Sequence, residues 1–181
     1  GSLFCWGLAE DGRLGLNDSL LGGADMMETP CVVELLPVPV VLIACGDDFT
    51  VAVGTDGKLY GFGANVTSQL DPDPDIEFPE PAPLFPTIGS AVMQVACGAD
   101  HVAVVDEMGR LWSWGGRFGE RPTQLELFSA TQPVGCNEGN TGDESTCLPL
   151  EKAANDQGFD SNRCVLVACG ASMTPAVSAR G

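Results

Sequence analysis

Basic residues are scarce in this 181-residue chain, which has 8 Lys and Arg against 25 Asp and Glu and a net charge of −17. The shortage is uneven, because residues 1–109 hold 17 acidic side chains against only Arg13 and Lys58. Nucleic-acid binding rests on cationic contacts to phosphate, so this composition argues against DNA, RNA or an anionic membrane as the main partner. It favours a protein with a basic surface through electrostatic steering, or it serves only to keep the protein in solution.

Long apolar runs and nucleotide-binding loops are also missing. No run reaches the roughly 18 residues that a membrane span needs, and the opening GSLFCWG lacks the charged and apolar regions of a signal peptide. Neither GxxxxGK[ST] nor GxGxxG occurs. Nucleotide hydrolysis and dinucleotide binding therefore have no support in the sequence.

Histidine occurs once, at His101, and there is no CxxC pair among the eight cysteines. A lone histidine without a sequence-visible nucleophile does not assemble a catalytic site, and the zinc-site spacing is absent. We therefore predict that the chain is not an enzyme and has no catalytic, cofactor-binding or metal-binding residues. A disulfide between Cys136 and Cys147 stays open, with reduced thiols as the default inside cells.

Two stretches of the chain match without a gap. Residues 44–63, ACGDDFTVAVGTDGKLYGFG, and residues 96–115, ACGADHVAVVDEMGRLWSWG, are identical at eight of twenty positions. A third copy, ACGASMTPAVSARG, starts at Ala168, and the opening GSLFCWG aligns with GKLYGFG and GRLWSWG. A fixed period of about 50 residues is typical of a propeller or a similar array. The glycines that mark the period are Gly1, Gly57, Gly109 and Gly181.

Each repeat predicts a small antiparallel sheet. Short apolar runs indicate a first strand buried on both faces, and a glycine turn predicts a hairpin between a second strand and an aromatic third strand. A proline near the fourth strand suits a sheet edge. The first strands are predicted at 40–44, 91–96 and 164–168, the second at 50–53 and 102–105, and the fourth at 30–35, 81–85 and 122–127. The recurring Cys45, Cys97 and Cys169 are interpreted as small buried core residues.

With these residues laid out, the chain resembles the RCC1-type (regulator of chromosome condensation) repeat family. VACGADHVAVV (95–105) is similar to the family's Ala-x-Gly-x-x-His segment, and WGLAEDGRLGLND (6–18) to its Trp-Gly and Gly-Gln-Leu-Gly segment, with Arg13 where glutamine is usual. The resemblance implies an all-β fold, with about three four-stranded antiparallel blades of a seven-bladed propeller. It also implies a strand-capping role for His101. The departures are SQLD at 68–71, Phe49 and Met173 at the histidine positions, and a loop insertion at 129–163.

We expect one incomplete propeller domain, 1–181, with repeat units at about 1–56, 57–108 and 109–181 and the remaining blades supplied by sequence outside these residues. Propellers present variable loops on rigid blades, so we predict a non-catalytic protein–protein interaction scaffold of a larger protein. The resemblance implies two alternatives, guanine-nucleotide exchange on a small Ran-like GTPase and a regulatory propeller attached to an enzyme such as a ubiquitin ligase.

The loop DPDPDIEFPEPAP (71–83) has carboxylates at alternate positions but lacks the glycine and glutamate of a calcium-binding EF-hand loop. We interpret it as a solvated acidic loop and a contact surface for basic partners. An intracellular, cytoplasmic location is expected, while glycosylation sequons at Asn17 and Asn65 leave a secreted location open.

An array of three repeat units leaves two sheet edges uncovered, and uncovered edges pair with other chains. We therefore expect residues 1–181 expressed by themselves to oligomerise or aggregate. Analytical ultracentrifugation over a concentration series measures this. A monodisperse monomer that unfolds cooperatively would contradict the expectation.

Overall fold

The computed structural model describes residues 1–85, 88–125, 164–170 and 176–178. Apart from one four-residue helix, α1 (Asp18–Leu21), and two short 3-10 turns at Glu10–Gly12 and Gly116–Phe118, these residues form strands and loops. Among them, no helix has the length and apolar character that a membrane span requires. The strands are β1 (Phe4–Leu8), β2 (Met26–Val32), β3 (Val40–Cys45), β4 (Phe49–Gly54), β5 (Leu59–Gly63), β6 (Phe78–Pro83), β7 (Val92–Cys97), β8 (Val102–Asp106), β9 (Leu111–Trp114), β10 (Thr123–Leu125), β11 (Cys164–Val167) and β12 (Ala176–Ser178).

The strands form four antiparallel sheets, which we call blades 1 to 4: β1–β2, β3–β6, β7–β10 and β11–β12. In chain order they hold two, four, four and two strands, and this confirms the all-β prediction. Two of the three fourth strands begin earlier than predicted, since β2 starts at Met26 and β6 at Phe78, whereas β10 starts at Thr123, within one residue of its prediction. The proline-containing β6 is an edge strand of blade 2, where a missing N–H costs no ladder bond.

The division into repeat units stays a prediction, with boundaries at about 1–56, 57–108 and 109–181. The insertion predicted at 129–163 lies outside the described residues.

The strands buried on both faces lie inside blades 2 and 3: the second strand of each of these blades and also β5, the third strand of blade 2. Every residue of β4 and β8 is buried, and Val51 and Val104 are fully shielded from solvent. In β3, exposure alternates, and Val41 and Ile43 are 55% and 54% exposed. The interpretation of 40–44 as a strand buried on both faces is therefore wrong, because β3 lies at a sheet edge and only alternate residues point into the core.

A hydrogen bond that recurs at the repeat glycines joins each blade to the next. The carbonyl oxygens of Gly1, Gly57 and Gly109 each accept from the N–H of a residue at the start of the following blade. The donors are Val40 at 2.8 Å, Val92 at 2.9 Å and Cys164 at 2.6 Å, respectively. Gly57 has φ +74° in its hairpin turn, and a Cβ there would lie 2.7 Å from the Cβ of Ala91. Glycine at this position thus serves both the turn and the contact between blades.

The second aromatic residue of each third strand packs against the preceding blade. Phe62 is fully buried in a core cluster with Leu14 of blade 1. Trp114 is fully buried too, and its indole N–H donates to the Gln69 carbonyl of blade 2 at 2.9 Å. Trp6, the equivalent residue of blade 1, is 59% exposed at the end of the array. These rings therefore pack in the same way at two successive blade junctions.

A buried carboxylate holds the second hairpin of blade 3. The side chain of Asp106 is fully shielded and accepts bonds from the Arg110 guanidinium at 2.7 Å, the Trp112 indole at 3.0 Å and the Ser90 hydroxyl at 3.0 Å. Burial by itself would raise the pKa of Asp106, but the hydrogen bonds from Trp112, Arg110 and Ser90 outweigh it and hold the pKa below its ordinary value of 3.8. The ionised form is therefore favoured by folding.

We expect Asp106→Asn to lower the free energy of unfolding by about 2–4 kcal/mol at pH 7, because it leaves buried donors without an anionic acceptor. A carboxylate whose pKa is depressed on folding stabilises above its unfolded pKa and loses that contribution as pH falls through its folded pKa. The difference in unfolding free energy between wild type and variant should therefore begin to shrink as pH falls below about 3.8, the ordinary pKa, and disappear only below the lower pKa of the folded protein. Denaturant titrations at several pH values measure it.

The matched variant is Asp56→Asn at the equivalent turn of blade 2, where the carboxylate accepts from the Tyr60 hydroxyl at 2.9 Å and the Lys58 N–H at 3.2 Å. Because the Asp56 carboxylate accepts from fewer donors, Asp56→Asn should lower the free energy of unfolding by less than Asp106→Asn does. Equal costs, or a cost at Asp106 that does not change with pH, would contradict the role given to the Asp106 carboxylate.

Candidate interaction surface

Loops of blades 2 and 3 form one surface, which we call the loop face. It contains the loops between the first and second strands (46–48 and 98–101) and the loops that follow the third strands (64–70 and 115–119). These emerge at the same end because the strands are antiparallel. Hydrogen bonds tie the loops across the blade junction, from Asp47 N–H to the Ala99 carbonyl at 3.2 Å and from Gly116 N–H to the Thr67 carbonyl at 2.9 Å.

A glycine under an aromatic ring shapes each loop between the first and second strands. A Cβ at Gly46 would overlap the ring of Phe49, and a Cβ at Gly98 would overlap the ring of His101. Each loop is closed by a backbone bond of 2.9 Å, from Gly46 N–H to the Phe49 carbonyl and from Gly98 N–H to the His101 carbonyl. Phe49 and His101 thus occupy equivalent places in the two blades.

His101 is a buried bracing residue of this loop. It is 1% exposed, its ring centre lies 4.8 Å from that of Phe118, and its Nδ1 lies 3.4 Å from a carboxylate oxygen of Asp100. Phe49 accepts the same backbone bond in blade 2, so the strand-capping role that the resemblance implied for His101 stays a prediction. The side chain therefore supports the position of Asp100 at the surface.

Asn65 organises the loop after β5 and is not an accessible sequon. Its side chain is 4% exposed, accepts from the N–H groups of Leu70 and Asp71 at 2.8 and 2.9 Å, and donates to the carbonyls of Asp71 and Asp73. Attachment of an oligosaccharide would replace one of the two hydrogens on Nδ2 and so remove one of these donor bonds. Asn17 caps α1 by accepting from Leu20 N–H at 2.9 Å. The buried Asn65 side chain therefore does not support glycosylation, and Asn65 no longer counts as a sequon in favour of a secreted location.

At the junction of blades 1 and 2, an arginine neutralises the loop face. Arg13 Nη1 lies 2.8 Å from an Asp48 carboxylate oxygen, and its Nη2 lies 3.1 Å from that of Asp11. The residue equivalent to Arg13 in the next repeat is Gln69, and the residues before them, Gly12 and Ser68, share a positive φ of 71° and 59°. The matching backbone shows that the two loops follow the same path.

At the junction of blades 2 and 3, the loop face holds an open cavity of about 220 Å³. Asp100 lies on one side, and Gly116 leaves room for its carboxylate, since a Cβ on Gly116 would lie 2.5 Å from it. Asp47 is exposed, and Val66 at the rim is 78% exposed. The lining residues are Asp47, Asp48, Ala64, Val66, Thr67, Gln69, Ala99 and Asp100. The cavity is therefore acidic with a small apolar rim.

In the acidic segment 71–83, which was predicted to be a solvated loop, two carboxylates accept hydrogen bonds from backbone N–H groups of the same segment. Asp71 Oδ1 accepts from Asp73 N–H at 2.9 Å, and Asp73 Oδ1 accepts from Asp75 N–H at 3.1 Å. Both carboxylates remain at the surface, beside the loop face. The segment from Phe78 onward forms β6 rather than loop.

The cysteines that the structure describes are free thiols. Cys45 is exposed, so its interpretation as a small buried core residue is wrong, because it ends an edge strand; Cys97 is half-buried. Burial, with the neighbouring Cys45, raises the pKa of Cys5 to about 11. Burial, with Cys169 and Cys45 nearby, also raises the pKa of Cys97. Cys136 and Cys147 lie outside the described residues, so their disulfide stays untested.

Sequence reasoning did not find the cavity. Gln69 and Asp100 are far apart in the chain and meet only because blade 2 packs on blade 3. The available signal was the departure at Arg13, which stands where glutamine is usual and which aligns with Gln69 of the next repeat.

Comparison with known proteins identifies relatives over most of the chain. The sequence profile of the regulator of chromosome condensation (RCC1) repeat matches residues 1–53 and 56–105. The mitochondrial RCC1 domain-containing protein RUG3 of Arabidopsis thaliana is 37% identical over 144 residues, covering 71% of this chain and 32% of that protein. The probable E3 ubiquitin-protein ligase HERC4 of Mus musculus is 36% identical over 116 residues, covering 64% of this chain and 11% of that protein. The chain thus spans a third or less of these relatives.

Solved structures show the same fold. Human WBSCR16 superposes with a TM-score of 0.72 at 22% identity, over 99% of this chain and 41% of that one. Yeast RCC1 (Prp20), solved bound to Kap60, superposes with a TM-score of 0.70 at 20% identity, over 98% of this chain and 38% of that one. At these identities the similarity concerns the fold.

The glycine and the ring beneath it should be strongly coupled. We expect Gly46→Ala to cost about 1–3 kcal/mol, because the new Cβ would displace the Phe49 ring from its site. Phe49→Ala should cost about 3–5 kcal/mol. The double variant should cost no more than Phe49→Ala, since the ring is gone. Denaturant unfolding of the four proteins measures this cycle, and additive costs would contradict the contact.

Proposed function

Because the chain belongs to the regulator of chromosome condensation (RCC1) repeat family, we propose that it is a non-catalytic protein–protein interaction scaffold whose loop face meets the partner. The observation that supports this is the rigid, cross-bonded loop face with its open acidic cavity. Loops held by backbone bonds across a blade junction lose little entropy on binding, which favours recognition. Exposed Val66 beside carboxylates offers the mixture of apolar and charged contacts that protein interfaces use.

The charge of the loop face favours a basic protein partner. Asp47 and Asp100 meet no Lys or Arg side chain in the described part of the chain, while Asp48 is paired with Arg13. An excess of one sign over a surface steers oppositely charged partners and speeds association. We assign the partner to proteins and not to nucleic acid, whose phosphates these carboxylates would repel.

Guanine-nucleotide exchange is the second candidate. Yeast Prp20p, whose fold this chain shares at 20% identity, is described as binding Gsp1p and histones. A release assay with labelled GDP across Ran-like and other small GTPases discriminates, because a scaffold leaves the release rate unchanged. The similarity to HERC4 supports a third role, as the regulatory propeller of a ubiquitin ligase. Its catalytic part would then lie outside these residues.

The proposed function is tested by photo-cross-linking from the loop face of the intact natural protein in its own cells. A benzoylphenylalanine at Val66, which is 78% exposed, should give discrete protein adducts. The matched control is the same probe at Met108, which is 61% exposed at the hairpin turn on the opposite end of blade 3. No adduct at Val66, or the same adducts from both sites, would overturn the proposal.

A further inference from the structure

We propose that the cavity between blades 2 and 3 receives the guanidinium group of an arginine from an extended basic segment of the partner. This rests on the proposed scaffold function and specifies the chemistry that the loop face recognises. Three observations carry it: an internal cation at the equivalent junction, a buried amide with a free donor, and the size and lining of the cavity.

The first observation is that the junction of blades 1 and 2 already contains an arginine guanidinium paired with a carboxylate of the loop face. Arg13 of blade 1 reaches Asp48 of blade 2 at 2.8 Å. One repeat later, Asp100 takes the place of Asp48, but the residue in the place of Arg13 is the uncharged Gln69. The Asp100 carboxylate approaches His101 at 3.4 Å and meets no Lys or Arg side chain in the described ranges. An incoming guanidinium would complete at Asp100 the pairing that Arg13 makes at Asp48.

The second observation concerns Gln69, which is 3% exposed and lines the cavity. Its Oε1 accepts from Thr67 N–H at 2.9 Å and lies 2.7 Å from the Thr67 hydroxyl, which orients the amide. Its Nε2 has no hydrogen-bond partner in the described part of the protein. In that part, every side-chain N or O atom that is fully buried does have a partner, so Nε2 is not among the fully buried atoms. Nε2 therefore keeps a path to solvent through the cavity and can donate to a peptide carbonyl.

The third observation is the scale of the site. Pockets for small organic ligands measure roughly 300–1,000 Å³, whereas this cavity measures about 220 Å³, which suits one side chain. In the described ranges, no three His, Cys, Asp or Glu side chains lie close enough to ligate one metal ion. A planar guanidinium with five donors can reach separated carboxylates, and its stem can lie along Val66 and Ala64.

Binding is measured by fluorescence anisotropy of labelled (Gly-Arg)₄ with the intact natural protein, against (Gly-citrulline)₄ and (Gly-Lys)₄. Citrulline keeps the shape of arginine without its charge, and lysine keeps the charge without the planar donors. We expect the affinity order arginine, lysine, citrulline. Equal affinity for the arginine and lysine peptides would overturn the choice of a guanidinium.

Two variants should weaken binding of (Gly-Arg)₄ by about tenfold, through the loss of partly exposed ion pairs. Gln69→Arg fills the cavity from within, and its charge-matched control is Asp25→Asn at an exposed site. Asp47→Asn combined with Asp100→Asn removes the carboxylates, and its control is Asp25→Asn combined with Glu80→Gln. Equal losses in variants and controls would show charge attraction alone and overturn the site.

A third variant excludes misfolding as the explanation for weaker peptide binding. Arg13→Gln should free Asp48 and tighten binding of (Gly-Arg)₄ severalfold, a gain that misfolding cannot produce. Its control is Lys58→Gln, which removes one charge from a side chain that is 73% exposed. No gain relative to this control would count against the equivalence of the two junctions.

Displacement of the peptide by calcium at constant ionic strength would assign the cavity to a metal ion and overturn the proposal.

The two proposals can fail separately. Persisting Val66 cross-links in a Gln69→Arg protein would leave the scaffold function intact and remove only the arginine site. Absence of cross-links from the Val66 probe in an otherwise wild-type protein would remove both the scaffold function and the arginine site.

Discussion

One backbone hydrogen bond per repeat sets the geometry of the whole array. The carbonyl of the repeat glycine accepts from the N–H that opens the next blade, at Gly1, Gly57 and Gly109 in succession. Because this bond repeats at nearly the same length, each blade starts from an equivalent point on its predecessor. The fully buried Phe62 and Trp114 then fill the space between neighbouring sheets. Stacking of this kind is what stabilises repeat arrays, in which each unit contacts only its neighbours.

The surface follows from that stacking and from small departures between repeats. Loops of adjacent blades are brought together by the same backbone frame, so a single changed side chain alters the chemistry of a junction. Arg13 closes the first junction on Asp48, whereas Gln69 leaves the second one acidic and open. The repeat thus supplies a common backbone support, and differences between equivalent side chains decide which junction is closed and which is open to a proposed partner.

The sequence predicted much of this fold because its signals are local and recur. Apolar runs, turn glycines and edge prolines gave the strand count, and the clearest errors in strand bounds were at β2 and β6, which begin and end earlier than predicted. Burial was harder to predict: the apolar pattern of 40–44 does not show that β3 lies at a sheet edge, nor that Cys45 is exposed there. The cavity was beyond sequence reasoning, since Gln69 approaches Asp100 only through packing between blades. The repeat alignment did hold a clue, because Gln69 stands where Arg13 stands.

The central claim is that consecutive blades form one packed array through the glycine bond and the ring beside it. Hydrogen exchange of the Val92 amide and the Trp114 indole, followed by NMR, tests it most directly. Both groups are donors across the blade 2–blade 3 junction and are buried, with Val92 5% exposed and Trp114 fully shielded. Exchange as slow as that of the core amide of Val104 is the predicted result. Exchange at the rate of a free amide or indole, with Val104 still protected, would contradict the account.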